Sequence, residues 1–151
     1  MKLGFTGTRE EPTQEQIDWL TEFFRQEMPE EFHHGACVGS DAKAHRAALK
    51  YNMGGRHEWM SVVVHPPIDT KLMMPMGSIL SVTGGVTILE PKPYLARNRN
   101  IVDATDRLVA FALEGDNFGT IKSGTWHTVR YAKAQNKPVD VVYPDGKVVR
   151  Y

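Results

Sequence analysis

Apolar positions recur along this chain with two periods. Residues 2 to 6, KLGFT, predict a short buried strand running into Gly7. Ile17, Leu20, Phe23, Phe24 and Met28 recur at helical spacing behind Thr13 and Gln16, a capping-box pair, and Pro29 ends that helix. Residues 31 to 34 predict a second strand entering a turn at Gly35. Ser40 or Asp41 is placed to cap a second helix, whose alanines and Leu49 pack inward until Gly54 and Gly55 stop it. Trp59 to His65 is a β-branched run and predicts a strand, whereas residues 66 to 82 lack a clean period and predict a loop with a short helical piece. Val86 to Leu89 predicts a strand and Pro93 to Ala104 a helix. Arg107 to Leu113, RLVAFAL, is a nearly continuous apolar strand of the kind found in the middle of a parallel sheet. A Gly-rich loop over 114 to 124 leads into a helix over Thr125 to Gln135, closed by Asn136. Pro138 to Val142 predicts the last parallel strand, and Val148 to Tyr151 a short edge strand after the turn at Pro144, Asp145 and Gly146.

Strands that alternate with helices predict an α/β fold: a single doubly wound, mostly parallel sheet with helices on both faces, spanning 1–151 as one domain. Ligands of such folds bind at the carboxyl ends of the strands. The chemistry-bearing stretches all follow predicted strands: Thr6 to Arg9, Gly35 to Asp41, His65, and Glu114 to Thr128. They are expected to converge on one crevice.

Composition narrows the function classes. Lys plus Arg number 18, as do Asp plus Glu, so the formal net charge is zero. That argues against a protein whose main task is to coat nucleic acid, which needs clustered positive charge, but leaves room for a local anion pocket. The one cysteine, Cys37, precludes an intrachain disulfide and fits a reducing cytoplasm. MKLGFTGT has no long apolar run, so no signal peptide is evident, and no stretch approaches the length needed to span a bilayer.

FHHGACVGSDAKAHRAAL, residues 32 to 49, invites a metal reading, which the spacing disfavours. His33 and His34 point to opposite faces of a strand, and Cys37 with His45 matches no common zinc spacing. No metal and no cofactor are expected. Gly35 and Gly39 instead bracket a strand-to-helix turn whose amides and helix N-terminus suit an anion. Ser40 belongs to the same turn; Asp41 caps the helix or holds a ribose hydroxyl, and His45 four residues on braces it. Gly7, Thr8 and Arg9 form a second phosphate-type loop, in which the guanidinium can bind in bidentate fashion. Ser123, Gly124 and Thr125 open the last helix as a third, and Trp126 there either stacks on a base or packs on the sheet. Arg97, Asn98, Arg99 and Asn100 are read as a polar wall of the crevice; Arg97 and Asn100 share one helix side, and the other two face elsewhere.

Taken together, GFTGTR at 4 to 9, HGACVGSDAKAH at 34 to 45, RNRNIV at 97 to 102 and SGTWHTVRYAKAQNKPV at 123 to 139 resemble the SLOG superfamily. Its Rossmann-like members include the lonely-guy (LOG) phosphoribohydrolases and the core of the DNA-processing protein A family; the compact YspA-like group is the nearest in kind. The resemblance implies a nucleotide or nucleotide-derived ligand, held by Gly7, Thr8, Arg9, the Gly35 to Asp41 turn, Arg97 to Asn100, and Gly124 with Thr125. It also carries over a homodimer as an expectation. One departure matters. LOG-type enzymes carry Pro-Gly-Gly-x-Gly-Thr-x-x-Glu at the last loop; here Thr128 stands at the Glu position and Pro-Gly-Gly is absent. Cleaving an N-glycosidic bond calls for a carboxylate, by analogy with glycoside hydrolysis. The candidate substitutes are Glu114, Asp116 and Asp41.

Three functions follow. The first is a sensor or carrier that binds a small nucleotide without turnover. The second is a nucleoside 5'-monophosphate N-glycosidase using a substitute carboxylate. The third is a single-stranded DNA-binding module, which the neutral charge supports least.

Overall fold

The computed structural model describes residues 1–54, 60–75, 77, 85–115 and 123–151. Its strands are β1 (Lys2–Gly7), β2 (Glu31–His34), β3 (Ser61–Val64), β4 (Val86–Ile88), β5 (Arg107–Phe111), β6 (Val139–Val142) and β7 (Val148–Arg150). The helices are α1 (Gln14–Glu27), α2 (Ser40–Met53), α3 (Tyr94–Ala104) and α4 (Gly124–Ala134), with a 3₁₀ turn over Thr70–Leu72. Among the described residues these seven strands form one sheet in the order β4-β3-β2-β1-β5-β6-β7. Every pairing is parallel except β6 with β7. The sheet is α/β and Rossmann-like, as the alternation of periods predicts. Trp59, Asp116 and part of the aperiodic 66–82 stretch lie outside the described residues.

The order reverses between β1 and β5, where Gly7 pairs with Phe111 at the carboxyl end. Chain growth to either side of that pair leaves a crevice above it. Two cores fix the frame around it. On one face Phe5 meets Phe111 edge-on at 4.9 Å and Phe24 meets Phe32 at 5.1 Å, with Leu3, Leu20 and Val62 fully buried beside them. On the other, Val102, Leu108, Ala110, Trp126, Val129 and Val141 pack together. After Arg107 the run from Leu108 to Ala112 is apolar throughout because it contributes to both cores. Within this frame Asp140 of β6 is 1% exposed, and Arg107 of β5 reaches it with Nη2 at 2.6 Å and Nε at 2.7 Å.

Helix ends are set by local chemistry. Thr13 and Gln16 form the reciprocal capping box of α1, and Thr13 Oγ1 also donates to Pro144 O at 2.7 Å. Asn136, at φ 56°, follows α4. The carboxyl end of α3 is held from outside: Lys137 Nζ donates to the carbonyls of Val102, Asp103 and Thr105. A cation on the carbonyls at a helix carboxyl end is favourable. Lys137→Met, which keeps the stem and removes the charge, is therefore expected to lower unfolding free energy by about 1–2 kcal/mol. Urea denaturation checks this, and an unchanged midpoint would show that solvent replaces the ammonium at no loss.

Candidate functional site

The first two loops interlock. The Ser40 amide donates to the Thr8 carbonyl at 3.1 Å, and a Cβ on Gly7 would lie 2.4 Å from Ser40 Cβ. Gly39 sits at φ 81°, and a Cβ there would lie 2.2 Å from the Arg9 carbonyl oxygen. This left-handed glycine is the N-cap of α2, so neither Ser40 nor Asp41 caps the helix as the sequence suggests. Ser40 Oγ is buried without a protein partner. The Asp41 side chain turns back instead, accepting the Cys37 amide at 3.1 Å. Burial pushes its carboxyl up to about 6; the Arg97 guanidinium and the Cys37 and Gly35 amides pull the other way.

Arg97 enters from α3 and lies directly over Gly35, where a Cβ would fall 1.2 Å from Nη1. It is 3% exposed. Nη1 lies 3.8 Å from Asp41 Oδ2, and Nη2 donates to Cys37 Sγ at 3.3 Å. Its Nε is buried with no protein partner. The guanidinium carbon stands 5.0 Å from the centroid of the Tyr94 ring, and that of Arg9 stands 5.5 Å from the same ring. The Tyr94 hydroxyl rests against the start of α4: a Cβ on Gly124 would lie 2.1 Å from it. Two cations and a helix N-terminus thus meet around one tyrosine. Sequence reasoning passed over Tyr94. The available signal was its position three residues before Arg97, which places both on one side of a helix.

The other predicted site residues separate into groups. Asn98 is buried on α3. Asn100 shares an open cleft of about 640 Å³ with Arg97, His65, Glu90 and Lys92. Arg99 is exposed and stands over Tyr131 of α4, 5.4 Å from its centroid, apart from the other arginines. Ser123 Oγ accepts the Trp126 amide at 3.1 Å and so caps α4. Trp126 packs in the second core and donates Nε1–H to the Glu114 carbonyl at 3.0 Å. Thr125 is buried, and Thr128 Oγ1 donates to Gly124 O at 2.7 Å. The hydroxyl at the position where the LOG-type pattern carries Glu is therefore engaged with its own helix. Glu114 is exposed on the loop after β5, and Asp116 lies outside the described residues.

Behind the turn, the Ala36 amide donates to His34 Nδ1 at 3.1 Å, and His34 Nε2 lies 2.8 Å from His45 Nδ1. The amide fixes His34 as the Nε2–H tautomer, so that nitrogen donates to His45. Burial holds His34 well below the usual imidazole range. Among the described residues no group of three or more His, Cys, Asp or Glu is placed to hold a metal ion, and no helix is long and apolar enough to cross a membrane.

Comparison with models of protein families and with curated proteins gives no match. Solved structures share the fold, among them two that overlap most of this chain. DNA processing protein A (DprA) from Streptococcus pneumoniae superposes with a TM-score of 0.66 at 19% identity, over 93% of this chain. This chain spans half, 50%, of that protein's length. A protein designated TM1055 superposes with a TM-score of 0.54 at 19% identity, over 92% of this chain and 72% of its own. Both superpositions show that this chain shares their Rossmann-like α/β fold.

Proposed function

We propose that this chain binds a nucleotide or nucleotide-derived ligand at the β1–β5 switch point, as a sensor or carrier. The observation that carries this is the convergence of Arg9 and Arg97 on Tyr94 at the start of α4, with Arg97 Nε buried and without a protein partner. A buried guanidinium with an unused donor is unfavourable unless something accepts from it. A phosphate does so, and the α4 amides add to its hold. Thr128 carries no charge, which favours binding over turnover.

Calorimetric titration with AMP and with adenosine tests this. AMP is expected to bind and adenosine to bind far more weakly, and Arg9→Ala is expected to weaken AMP by about 2 kcal/mol, roughly thirtyfold in Kd. Equal affinity for the two ligands would remove the phosphate from the account, and unchanged affinity in Arg9→Ala would remove Arg9.

A second reading rests on Asp41. It is a buried carboxyl held near 6 and 3.8 Å from Arg97 Nη1, a setting in which a carboxyl serves acid–base chemistry at neutral pH. An N-glycosidase would use it in place of the family's Glu. Chromatography of AMP after long incubation decides: adenine release that disappears in Asp41→Asn supports it, and intact AMP ends it.

A further inference from the structure

Glu31, His33 and His65 have no part in the site at the switch point. His33 pairs with Val63 across β2 and β3, so His65, two residues further on, shares its face of the sheet. The ladder continues to His65, whose amide donates to the His34 carbonyl at 2.9 Å. On that face Glu31 Oε2 lies 2.8 Å from His33 Nε2, and His33 Nδ1 lies 3.0 Å from His65 Nε2. Lys2 Nζ stands 3.0 Å from the other Glu31 oxygen.

The protons along this row can be assigned in sequence. Hydrogen bonds from His33 and Lys2 hold the Glu31 carboxyl below its usual range, so it is ionised at neutral pH and only accepts. His33 Nε2 must therefore carry a hydrogen. Burial keeps His33 neutral, so its Nδ1 is a lone pair. His65 Nε2 must then be the donor between the two rings. His65 is itself pushed down to about 4 by burial, with the charges of Arg97 and Lys92 and the neighbouring His33 acting in the same direction. Being neutral and protonated on Nε2, it has its lone pair on Nδ1. His65 is 5% exposed and lines the 640 Å³ cleft.

The cleft wall has a distinct donor and acceptor pattern. Arg97 and Lys92 are cations, while Glu90 and Asp103 accept. Asn100 does both. A ligand that matches carries an anion and several hydroxyls. We propose that this cleft is a sugar-phosphate subsite in which His65 Nδ1 accepts a sugar hydroxyl while Arg97 and Lys92 hold the phosphate. It rests on the phosphate reading above, because Arg97 belongs to both places. Glu31 and His33 are positioning residues: they set the tautomer that makes His65 an acceptor toward the cleft.

The test uses the whole chain labelled with ¹⁵N-histidine, with ribose 5-phosphate and inorganic phosphate as probes. Long-range ¹H–¹⁵N spectra at neutral pH are expected to show His33 and His65 both as Nε2–H tautomers. Ribose 5-phosphate should move the His65 Nδ1 resonance, and inorganic phosphate should not. His65→Leu should weaken ribose 5-phosphate about tenfold and leave inorganic phosphate unchanged, the loss expected for one hydrogen bond. The wild-type spectra decide alone if that variant does not fold. An Nδ1–H tautomer at His65, a resonance unmoved by ribose 5-phosphate, or equal binding by His65→Leu each overturns the subsite. If inorganic phosphate still binds in those cases, the phosphate reading stands and only the subsite falls. If neither probe binds and AMP fails too, both fall.

Discussion

Gly35→Ala is expected to displace Arg97 from its slot and to abolish tight AMP binding. The added Cβ would stand 1.2 Å from Nη1 and 2.5 Å from Cζ of Arg97, distances that no small adjustment relieves. The guanidinium is planar and moves as a unit, so it leaves Asp41, Cys37 and Tyr94 together. It can escape toward the cleft that it already lines. Asp41 cannot follow, being 6% exposed, and becomes a buried carboxyl supported only by backbone amides. Breaking a buried pair in this way costs about 3 kcal/mol, the lower end of the usual range, because one partner finds solvent. Urea unfolding reads that loss, and calorimetry reads the loss of AMP. A double-mutant cycle gives the sharper result. If Gly35 matters only by making room for Arg97, then Gly35→Ala adds almost nothing in an Arg97→Ala background. Additive losses would mean that Gly35 serves the turn itself, and the account of Arg97 as the group it accommodates would fall.

That same contact shows which parts of the site could be read in advance. Gly35, Gly39 and Gly7 stand out as loop glycines after predicted strands, and each lies where the chain packs against another loop or side chain. The strand and helix order was legible because burial imposes period 2 on strands and 3.6 on helices, whatever their partners. What was illegible depends on partners distant in sequence. The ring of Tyr94 is defined by Arg9 and by Gly124, which lie 85 positions before it and 30 after. The His33–His65 contact needs the β2–β3 register, which no local pattern encodes. Asp41 looked like a cap because acidic residues favour helix starts; Gly39 in the left-handed region took that place and freed the carboxyl to turn back. Trp126, a candidate for stacking on a base, packs in the core and spans to the Glu114 carbonyl.

Asp41→Asn is expected to make the protein more sensitive to acid, although it removes a buried acid. The signs decide this. His34 and His65 have folded values below the free imidazole value of 6.5, so their contribution is complete above 6.5 and is lost as pH falls toward their folded values. For His65, that window runs from 6.5 to about 4. Asp41 acts in the opposite direction. Its folded value of about 6 exceeds the free value of 3.8, so its contribution is complete below 3.8 and is lost as pH rises through 6. Between pH 7 and pH 4 the two effects overlap: the histidines lower stability while protonation of Asp41 restores it, by about 2.5 kcal/mol. Wild-type protein therefore loses less stability over this interval than its buried histidines alone would dictate. Asparagine cannot take up the proton, so the variant's unfolding free energy should fall by about 2.5 kcal/mol more than wild type between pH 7 and pH 4. Urea denaturation of both proteins at the two pH values measures the difference of differences, which is independent of any fixed loss from leaving Arg97 without its carboxylate. Parallel losses would mean that Asp41 is already ionised at pH 4 in the folded protein. Arg97 would then be neutralised by a permanent counter-ion, and Asp41 would lose its standing as the acid–base group of the glycosidase reading.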